Sequence, residues 1–227
     1  PAIVGNGNKC IKHRVIHGIP PNIALTNSLY HSNLPEIPCQ EAACYSNAEK
    51  RNGGMKMSKE MVAFYSRADE NYVNGMIKTL EVGNTKVAAD IMRKLTGADM
   101  FQIEQVQPYA KGYNDCIAEA QEDQKRDARP ELKAYPESID DYDVIYLGYP
   151  NYWSTMPMAV FTFLEHFDFS GKVIRPFCTH EGSGMGSSVA DIKKLCTTAT
   201  VENGLAIHGG SVANSEKEIK NWVVGGR

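Results

Sequence analysis

The sequence predicts an α/β protein in which a doubly wound parallel sheet of five strands lies between two layers of helices. Three observations predict this class. Short apolar runs of strand length recur along the chain, they alternate with stretches of helical spacing, and loops rich in glycine or hydroxyl residues follow several of them. We expect a three-layer domain over residues 57–227, with its strands in the order 2-1-3-4-5.

The predicted strands are short and largely apolar. The second run alternates apolar and polar residues, so we place it nearer an edge of the sheet. The third run, Val144-Ile145-Tyr146-Leu147, is typical of a strand buried on both faces, and Gly148 is expected to end it. In chain order the five strands are expected at 61–65, 100–104, 144–147, 172–178 and 204–209.

The predicted helices follow from apolar residues spaced three or four positions apart. Val87, Ile91 and Leu95 show this spacing after the helix-opening signal Gly83-Asn84-Thr85. The second helix is mostly polar and is expected to face solvent. The third begins after Pro157, because proline suits the first turn of a helix. The remaining helices are expected over 113–128, 158–164, 188–196 and 215–224.

The overall composition narrows the classes of function. Of the 227 residues, 42% are hydrophobic and 22% are charged, as in ordinary globular proteins. A net charge of −3 without a Lys/Arg block argues against nucleic acid, and no apolar run approaches membrane-spanning length. No Cys-x-x-Cys pair occurs, so we expect reduced thiols in a cytoplasmic protein and no metal site. The cysteines are Cys10, Cys39, Cys44, Cys116, Cys178 and Cys196.

Residues 1–56 differ from the rest of the chain. Their apolar residues show neither a strand nor a helix period, and Met55 and Met57 directly follow Arg-Asn-Gly-Gly. A purine-rich ribosome-binding sequence translated in frame would encode such a Gly-Gly before a start codon. We expect the natural protein to start at Met55 or Met57, which makes the preceding segment an artefact. The alternative is a real, poorly ordered extension.

Hydroxyl and amide side chains lie where a phosphate could bind. Ser66 and Arg67 follow the first strand, and Asn84 and Thr85 open the next helix. Backbone N–H groups and the helix dipole favour an anion at such a point, and hydroxyl groups add hydrogen bonds. Taken alone, Gly83-Asn84-Thr85 is more often an ordinary helix cap.

Two further loops predict a planar ligand. The third strand runs into a loop with Tyr149, Tyr152 and Trp153, whose rings either hold a flat molecule or pack the loop onto the body. The fourth strand runs into residues 179–187, where glycines permit close approach of the backbone. Because the loops after strands one, three and four meet at the switch point of this strand order, together they predict a mononucleotide with a large planar base.

These residues carry a resemblance to a known family. The motifs YSR…GNT, LGYPNYWSTMPMAVFTFLE, DFSGK and PFCTHEGSGMGSS are similar to those of a bacterial branch of the flavodoxins, over roughly residues 61–222. The resemblance implies a flavodoxin-like fold, tight non-covalent FMN, and transfer of one or two electrons. In the implied site the phosphate is held by Ser66, Arg67, Asn84 and Thr85, and the isoalloxazine ring lies between Pro150, Asn151, Tyr152 and Trp153 on one side and Thr179, His180, Gly182 and Gly184 on the other.

One departure from the family pattern lies in the phosphate loop. Flavodoxins usually have a compact hydroxyl-x-Thr-Gly-x-Thr loop, whereas residues 68–82 here separate Ser66-Arg67 from Gly83. The assignment of Ser66 and Arg67 to the phosphate is therefore weaker than that of Asn84 and Thr85. Tyr72, within this excursion, is expected either to reach the ligand or to lie on the surface.

The resemblance leaves the function open between alternatives. The first is an electron-transfer protein that shuttles between redox partner proteins. The second is an NAD(P)H-dependent enzyme that reduces quinones or similar small acceptors, in which His180 with Glu181 would deliver protons rather than only line the site. The third is a flavin-binding module without turnover.

Overall fold

The computed structural model describes residues 58–225, so the predictions made for residues 1–56 lie outside the described part of the chain. Parallel strands form its central sheet, in the order β4-β1-β5-β6. Two short strands, β7 and β8, both pair with β6 and share the fifth position. The strands are β1 Glu60–Tyr65, β2 Asp69–Val73, β3 Met76–Leu80, β4 Asp99–Ile103, β5 Val144–Pro150, β6 Val173–His180, β7 Thr200–Val201 and β8 Leu205–His208. The predicted strand order is confirmed, with its fifth strand divided in two.

Helices cover both faces of this sheet, as the sequence predicts. One face packs Val160, Phe163 and Ile192 against the strands, and the other packs Met92 and Ile219. All five side chains are fully buried. The helices are α1 Asn84–Thr96, α2 Tyr113–Lys125, α3 Met158–His166, α4 Ser188–Leu195 and α5 Glu216–Gly225, and a 3-10 helix spans Gly209–Asn214.

The central strands extend further than the sequence suggests. The prediction that Gly148 ends its strand is wrong, because β5 continues to Pro150. A Cβ at Gly148 would lie 2.2 Å from Cζ of Phe177, so the glycine makes room for a neighbouring ring rather than breaking the strand. β6 likewise continues through Thr179 to His180, which places these two residues at a strand end rather than in a loop.

Residues inserted before α1 form a hairpin of their own. β2 and β3 pair antiparallel and form a separate two-stranded sheet. Their turn has positive φ at Asn74 (52°) and Gly75 (81°), as a type I′ turn requires, and Asn-Gly is the preferred sequence for that turn. The excursion over 68–82 is therefore an ordered β-hairpin that begins and ends at the predicted phosphate loop.

Among residues 58–225, no helix combines the length and the apolar composition needed to cross a membrane.

Candidate functional site

A cavity of about 300 Å³ opens at the carboxyl ends of β1, β5 and β6. Ligands bind at this position in open α/β sheets, because the loops that leave neighbouring strands diverge where the strand order reverses and leave a crevice between them. Ten of the twelve residues predicted from the sequence line it. They are Ser66, Arg67, Asn84, Thr85, Pro150, Asn151, Tyr152, Trp153, Thr179 and His180.

The other two predicted residues, Gly182 and Gly184, do not line the cavity. Both have positive φ and lie in the loop after β6. The Gly182 N–H donates a hydrogen bond of 2.9 Å to Nδ1 of His180, and the Gly184 carbonyl accepts one of 2.9 Å from Nδ2 of Asn151. In this structure both glycines orient residues of the cavity wall, and their predicted contact with a ligand stays a prediction.

One end of the cavity is the start of α1. The N-cap residue, Gly83, has no side chain to cap the helix, and the first turn carries no acidic residue. Ser66 Oγ accepts a hydrogen bond of 3.0 Å from the Lys86 N–H, which brings the end of β1 against the helix. A Cβ at Gly83 would lie 2.4 Å from that hydroxyl, so only glycine permits this approach. The result is a helix N-terminus without an acidic residue and with hydroxyl groups beside it, which suits an anion.

Backbone carbonyl groups hold the Arg67 side chain in the wall of this polar end. Its guanidinium donates to the carbonyls of Glu70, Ala110 (2.7 Å) and Lys111. It thereby joins the base of the hairpin to the loop before α2, with three backbone acceptors and no carboxylate partner among residues 58–225. The guanidinium charge remains available to an anion in the cavity, although the side chain is already fixed.

Aromatic side chains line a second end of the cavity. The Trp153 indole N–H donates to the Ile117 carbonyl at 2.8 Å, which holds the ring at the cavity while 44% of the residue stays exposed. Tyr72 stacks on Tyr113 with ring centroids 5.9 Å apart and an interplanar angle of 26°. The open question about Tyr72 is thus resolved in part, because its ring borders the cavity and is partly exposed.

Tyr152 belongs to a group of rings beneath this end. Its ring centroid lies 6.3 Å from those of both Tyr65 and Tyr109, and its hydroxyl is 3.7 Å from Sγ of Cys116. Burial raises the pKa of Tyr152 well above its ordinary value and also raises the pKa of Cys116. This wall of the cavity is therefore neutral near physiological pH.

The third wall comes from β6 and the residues after it. The hydroxyls of Thr85 and Thr179, both buried, are 2.8 Å apart and connect α1 to β6. Partial burial lowers the pKa of His180, and repulsion from His208, whose ring centroid is 6.0 Å away, lowers it further. Because Nδ1 of His180 accepts from Gly182, a neutral imidazole carries its proton on Nε2.

Several lining residues are absent from the predicted site. Asn71 lies on the hairpin, where the Asn-Gly turn was the signal that could have found it. Tyr113 and Ile117 lie on a helix interpreted as solvent-facing, and no local pattern distinguishes them. The lining residues outside the predicted set are Asn71, Tyr72, Tyr113, Ile117, Glu181, Ser183 and Gly209.

The two ends of the cavity fit a phosphorylated planar ligand. The N-terminus of α1 and hydroxyl groups border one end, and tyrosine and tryptophan rings border the other. The volume lies at the lower end of the ~300–1,000 Å³ range of small-molecule sites. The donor set thus suits one flat molecule with an anionic tail.

Comparisons with known proteins agree with this geometry. A proposed flavoprotein from Bacteroides eggerthii is 28% identical, with a TM-score of 0.60, and the match covers 74% of this chain and 96% of that one. A proposed flavoprotein from Bacteroides uniformis is 23% identical, with a TM-score of 0.59 and coverage of 74% and 98%. A flavoprotein from Lactobacillus acidophilus, solved in complex with FMN, is 15% identical, with a TM-score of 0.52 and coverage of 69% and 97%.

The last two structures show a shared fold only, because their identities are low. No curated protein matches the sequence. A flavodoxin family model matches residues 79–225, which is more than half of the 227 residues. This match includes α1, the aromatic loop and the loop after β6, which are three of the segments that line the cavity. The chain therefore belongs to the flavodoxin family.

Proposed function

We propose that this protein binds FMN without a covalent bond and transfers electrons between redox partner proteins. The observation that carries the proposal is the composition of the cavity wall, with the N-terminus of a helix at one end and aromatic rings at the other. Membership of the flavodoxin family supports this cofactor, and the Lactobacillus acidophilus flavoprotein of the same fold was solved with FMN.

The residues at each end have distinct roles in this proposal. Asn84 and Thr85 would hold the phosphate through their N–H groups, beside the Ser66 hydroxyl and the Arg67 charge. Because Lys86 already donates to Ser66, that hydroxyl keeps its own proton for the phosphate. We assign to Gly182 and Gly184 the positioning of His180 and Asn151, in addition to their predicted contact with the ligand.

At the aromatic end, Pro150, Tyr152 and Trp153 would line one side of the ring system, with Thr179 and His180 opposite. When bound, the flavin supplies transfer of one or two electrons, and the protein sets its environment. Tyr152 adds no charge to that environment, since burial raises the pKa of its hydroxyl well above the ordinary value. Trp153, 44% exposed, leaves this edge of the cavity accessible to a partner protein.

The cavity is of a size for one flat cofactor. Its volume of about 300 Å³ lies at the lower end of the range for small-molecule sites, so a carrier that binds only the flavin is the simpler proposal. A reductase of quinones or similar acceptors must hold NAD(P)H and then the acceptor beside the flavin. The observation in favour of this alternative is His180, a wall residue with a lowered pKa and a proton on Nε2.

Absorbance spectroscopy tests both the proposed cofactor and the proposed role as an electron carrier. The purified protein, supplied with FMN, is expected to show flavin bands that persist when NADH or NADPH is added without air. Rapid bleaching by NAD(P)H, followed by reoxidation with a quinone, would make it a reductase. A protein that takes up no FMN contradicts the proposed cofactor itself.

A further inference from the structure

The loop after β5 contains a strained turn. The backbones of Tyr152 and Thr155 exchange two hydrogen bonds, of 2.8 and 3.0 Å. Between them, Trp153 and Ser154 have φ of 51° and 68°. Positive φ at both central residues is characteristic of the type I′ turn, which the hairpin makes with the favoured sequence Asn74-Gly75. For a bulky residue such as tryptophan this conformation is costly, so it persists only where surrounding contacts hold it.

Those contacts come from two sides of the turn. On one side, α2 holds Trp153 through the bond from its indole N–H to the Ile117 carbonyl and through a bond of 3.2 Å from Nε2 of Gln124 to the Trp153 carbonyl. On the other side, the loop after β6 holds Ser154, whose carbonyl accepts a hydrogen bond of 2.7 Å from the Ser187 N–H. The position of the tryptophan ring at the cavity therefore depends on how the loops after β5 and β6 are fastened together.

Asp191 fastens these two loops to each other. Its Oδ2 accepts a hydrogen bond of 2.8 Å from the Thr155 hydroxyl and another of 2.8 Å from the Ser187 hydroxyl. Thr155 ends the strained turn, and Ser187 is the residue whose N–H holds the turn from the other loop. Hydrogen bonds to a carboxylate are roughly twice as strong as neutral ones. The carboxylate itself belongs to the first turn of α4 and does not line the cavity.

We propose that Asp191 is a positioning residue of the flavin site, which holds the strained turn closed and thereby fixes the Trp153 ring beside the flavin. The inference rests on the proposed function, because it takes the bound molecule to be a flavin. Without the carboxylate, the hydroxyls of Thr155 and Ser187 lose their shared acceptor and the turn relaxes toward negative φ. The ring then leaves the cavity wall, whereas the phosphate end at α1 keeps its geometry.

Three substitutions test the role of this carboxylate. Asp191→Ala removes the acceptor. Asp191→Asn keeps one oxygen with two lone pairs, which still accepts from both hydroxyls, but without the charge. Lys194→Ala is the matched control, because the exposed Nζ of Lys194 lies 3.4 Å from the other oxygen of Asp191 and touches neither loop.

Dissociation constants from flavin fluorescence give the first readout. We expect D191A to bind riboflavin about tenfold more weakly than the original protein, D191N about threefold more weakly, and K194A equally well. FMN should lose affinity by the same factors, because the phosphate end is not touched. A folded D191A variant that binds riboflavin as tightly as the original protein would overturn the proposal. So would a loss for FMN that greatly exceeds the loss for riboflavin.

A double-mutant cycle with Trp153→Ala gives the second readout, which separates positioning from a general loss of structure. If Asp191 acts through the tryptophan ring, D191A or D191N should weaken riboflavin binding by less than twofold once that ring is absent. The visible circular dichroism of bound FMN, which reports the groups around the flavin ring, should change in D191A as it does in W153A. Losses of full size in the W153A background would overturn the proposal.

The asparagine variant keeps the test decisive if the alanine variant does not fold. In that case, a D191N variant that binds riboflavin like the original protein would overturn the proposal, and a threefold loss that vanishes in the W153A background would support it. Failure of the proposed function has a different signature, because the original protein would then bind neither riboflavin nor FMN.

Discussion

The hairpin and the central strand β5 border the same cavity but are held in place by different forces. Every residue of β5 from 145 to 149 is buried, and the strand is paired on both sides. In β3, four of five residues are exposed. The hairpin is attached mainly through polar contacts, from Arg67 at its base and Glu181 at its tip. Apolar burial therefore determines where the site is, and a few hydrogen bonds determine how it is covered.

This difference separates stability from ligand binding. A segment with few buried apolar contacts contributes little to the global free energy of unfolding and opens more readily than the core. Changes in the central strands should therefore unfold the protein, whereas changes in the hairpin should alter ligand affinity and leave the fold intact. Four predictions test or refine this separation.

The largest effect is expected at Gly148 in β5. A Cβ there would lie 2.2 Å from the fully buried Phe177 ring, so Gly148→Ala forces the strand or the ring to move. We expect the free energy of unfolding, measured with urea, to fall by about 3 kcal/mol. Gly112→Ala is the control, because a Cβ there meets nothing closer than 3.5 Å. Equal effects of the two substitutions would contradict this explanation.

Replacement of residues 69–80 by a short Gly/Ser linker is expected to weaken FMN binding and to leave the stability of the fold nearly unchanged. The free energy of unfolding should change by less than about 1 kcal/mol, since most hairpin side chains are exposed. FMN affinity should fall by about thirtyfold, because Asn71, Tyr72 and the cover over the polar end are lost. Urea denaturation and flavin fluorescence measure the two quantities. A fall in the free energy of unfolding as large as that of Gly148→Ala would show that the hairpin contributes to the stability of the core.

Tyr72→Ala is expected to weaken FMN binding less than replacement of the whole hairpin does. It removes a ring that borders the cavity and stacks on Tyr113. Loss of about 1 kcal/mol of aromatic contact predicts FMN binding about fivefold weaker in a fluorescence titration. Met76→Ala, which removes an exposed side chain of the same hairpin outside the cavity wall, should leave affinity unchanged. Similar losses in both variants would indicate a general effect on the hairpin.

The smallest effect concerns His180 and pH. Burial and the nearby His208 lower the pKa of His180 from its ordinary value of 6.5. The folded state then binds this proton less tightly than the unfolded state, so stability present above pH 6.5 is lost as the pH falls toward the lowered pKa. In His180→Asn, which keeps an acceptor for the Gly182 N–H, the melting temperature should fall less between pH 7.5 and 5.5. A steeper fall than in the original protein would contradict this sign.

Much of the central sheet and of its helices could be predicted from the sequence, because the apolar residues that form the local pattern are the ones buried in the fold. The run Val144-Ile145-Tyr146-Leu147 is apolar since both faces of β5 are covered, and Val87, Ile91 and Leu95 repeat because one face of α1 packs on the sheet. Cavity-wall residues that directly follow these strands could be predicted for the same reason. Their position depends only on where a parallel strand ends.

The remainder depends on contacts between distant segments. No local pattern indicates that Gly148 makes room for Phe177, or that Arg67 is directed to carbonyls near residue 110. Tyr113 lies at the start of a polar helix, and in the cavity wall it stacks on Tyr72 of the hairpin. The hairpin itself was predictable, since Asn74-Gly75 lies between two strand-like segments, but its destination at Glu181 was not.

The divided fifth strand has a consequence for how copies of this protein meet. An unpaired edge strand is a template on which another chain can add a strand. Here that edge consists of β7, with two residues, and β8, with four, separated by a break in the ladder. This edge offers no long, continuous row of free backbone groups, so growth of the sheet from it into the next molecule is disfavoured.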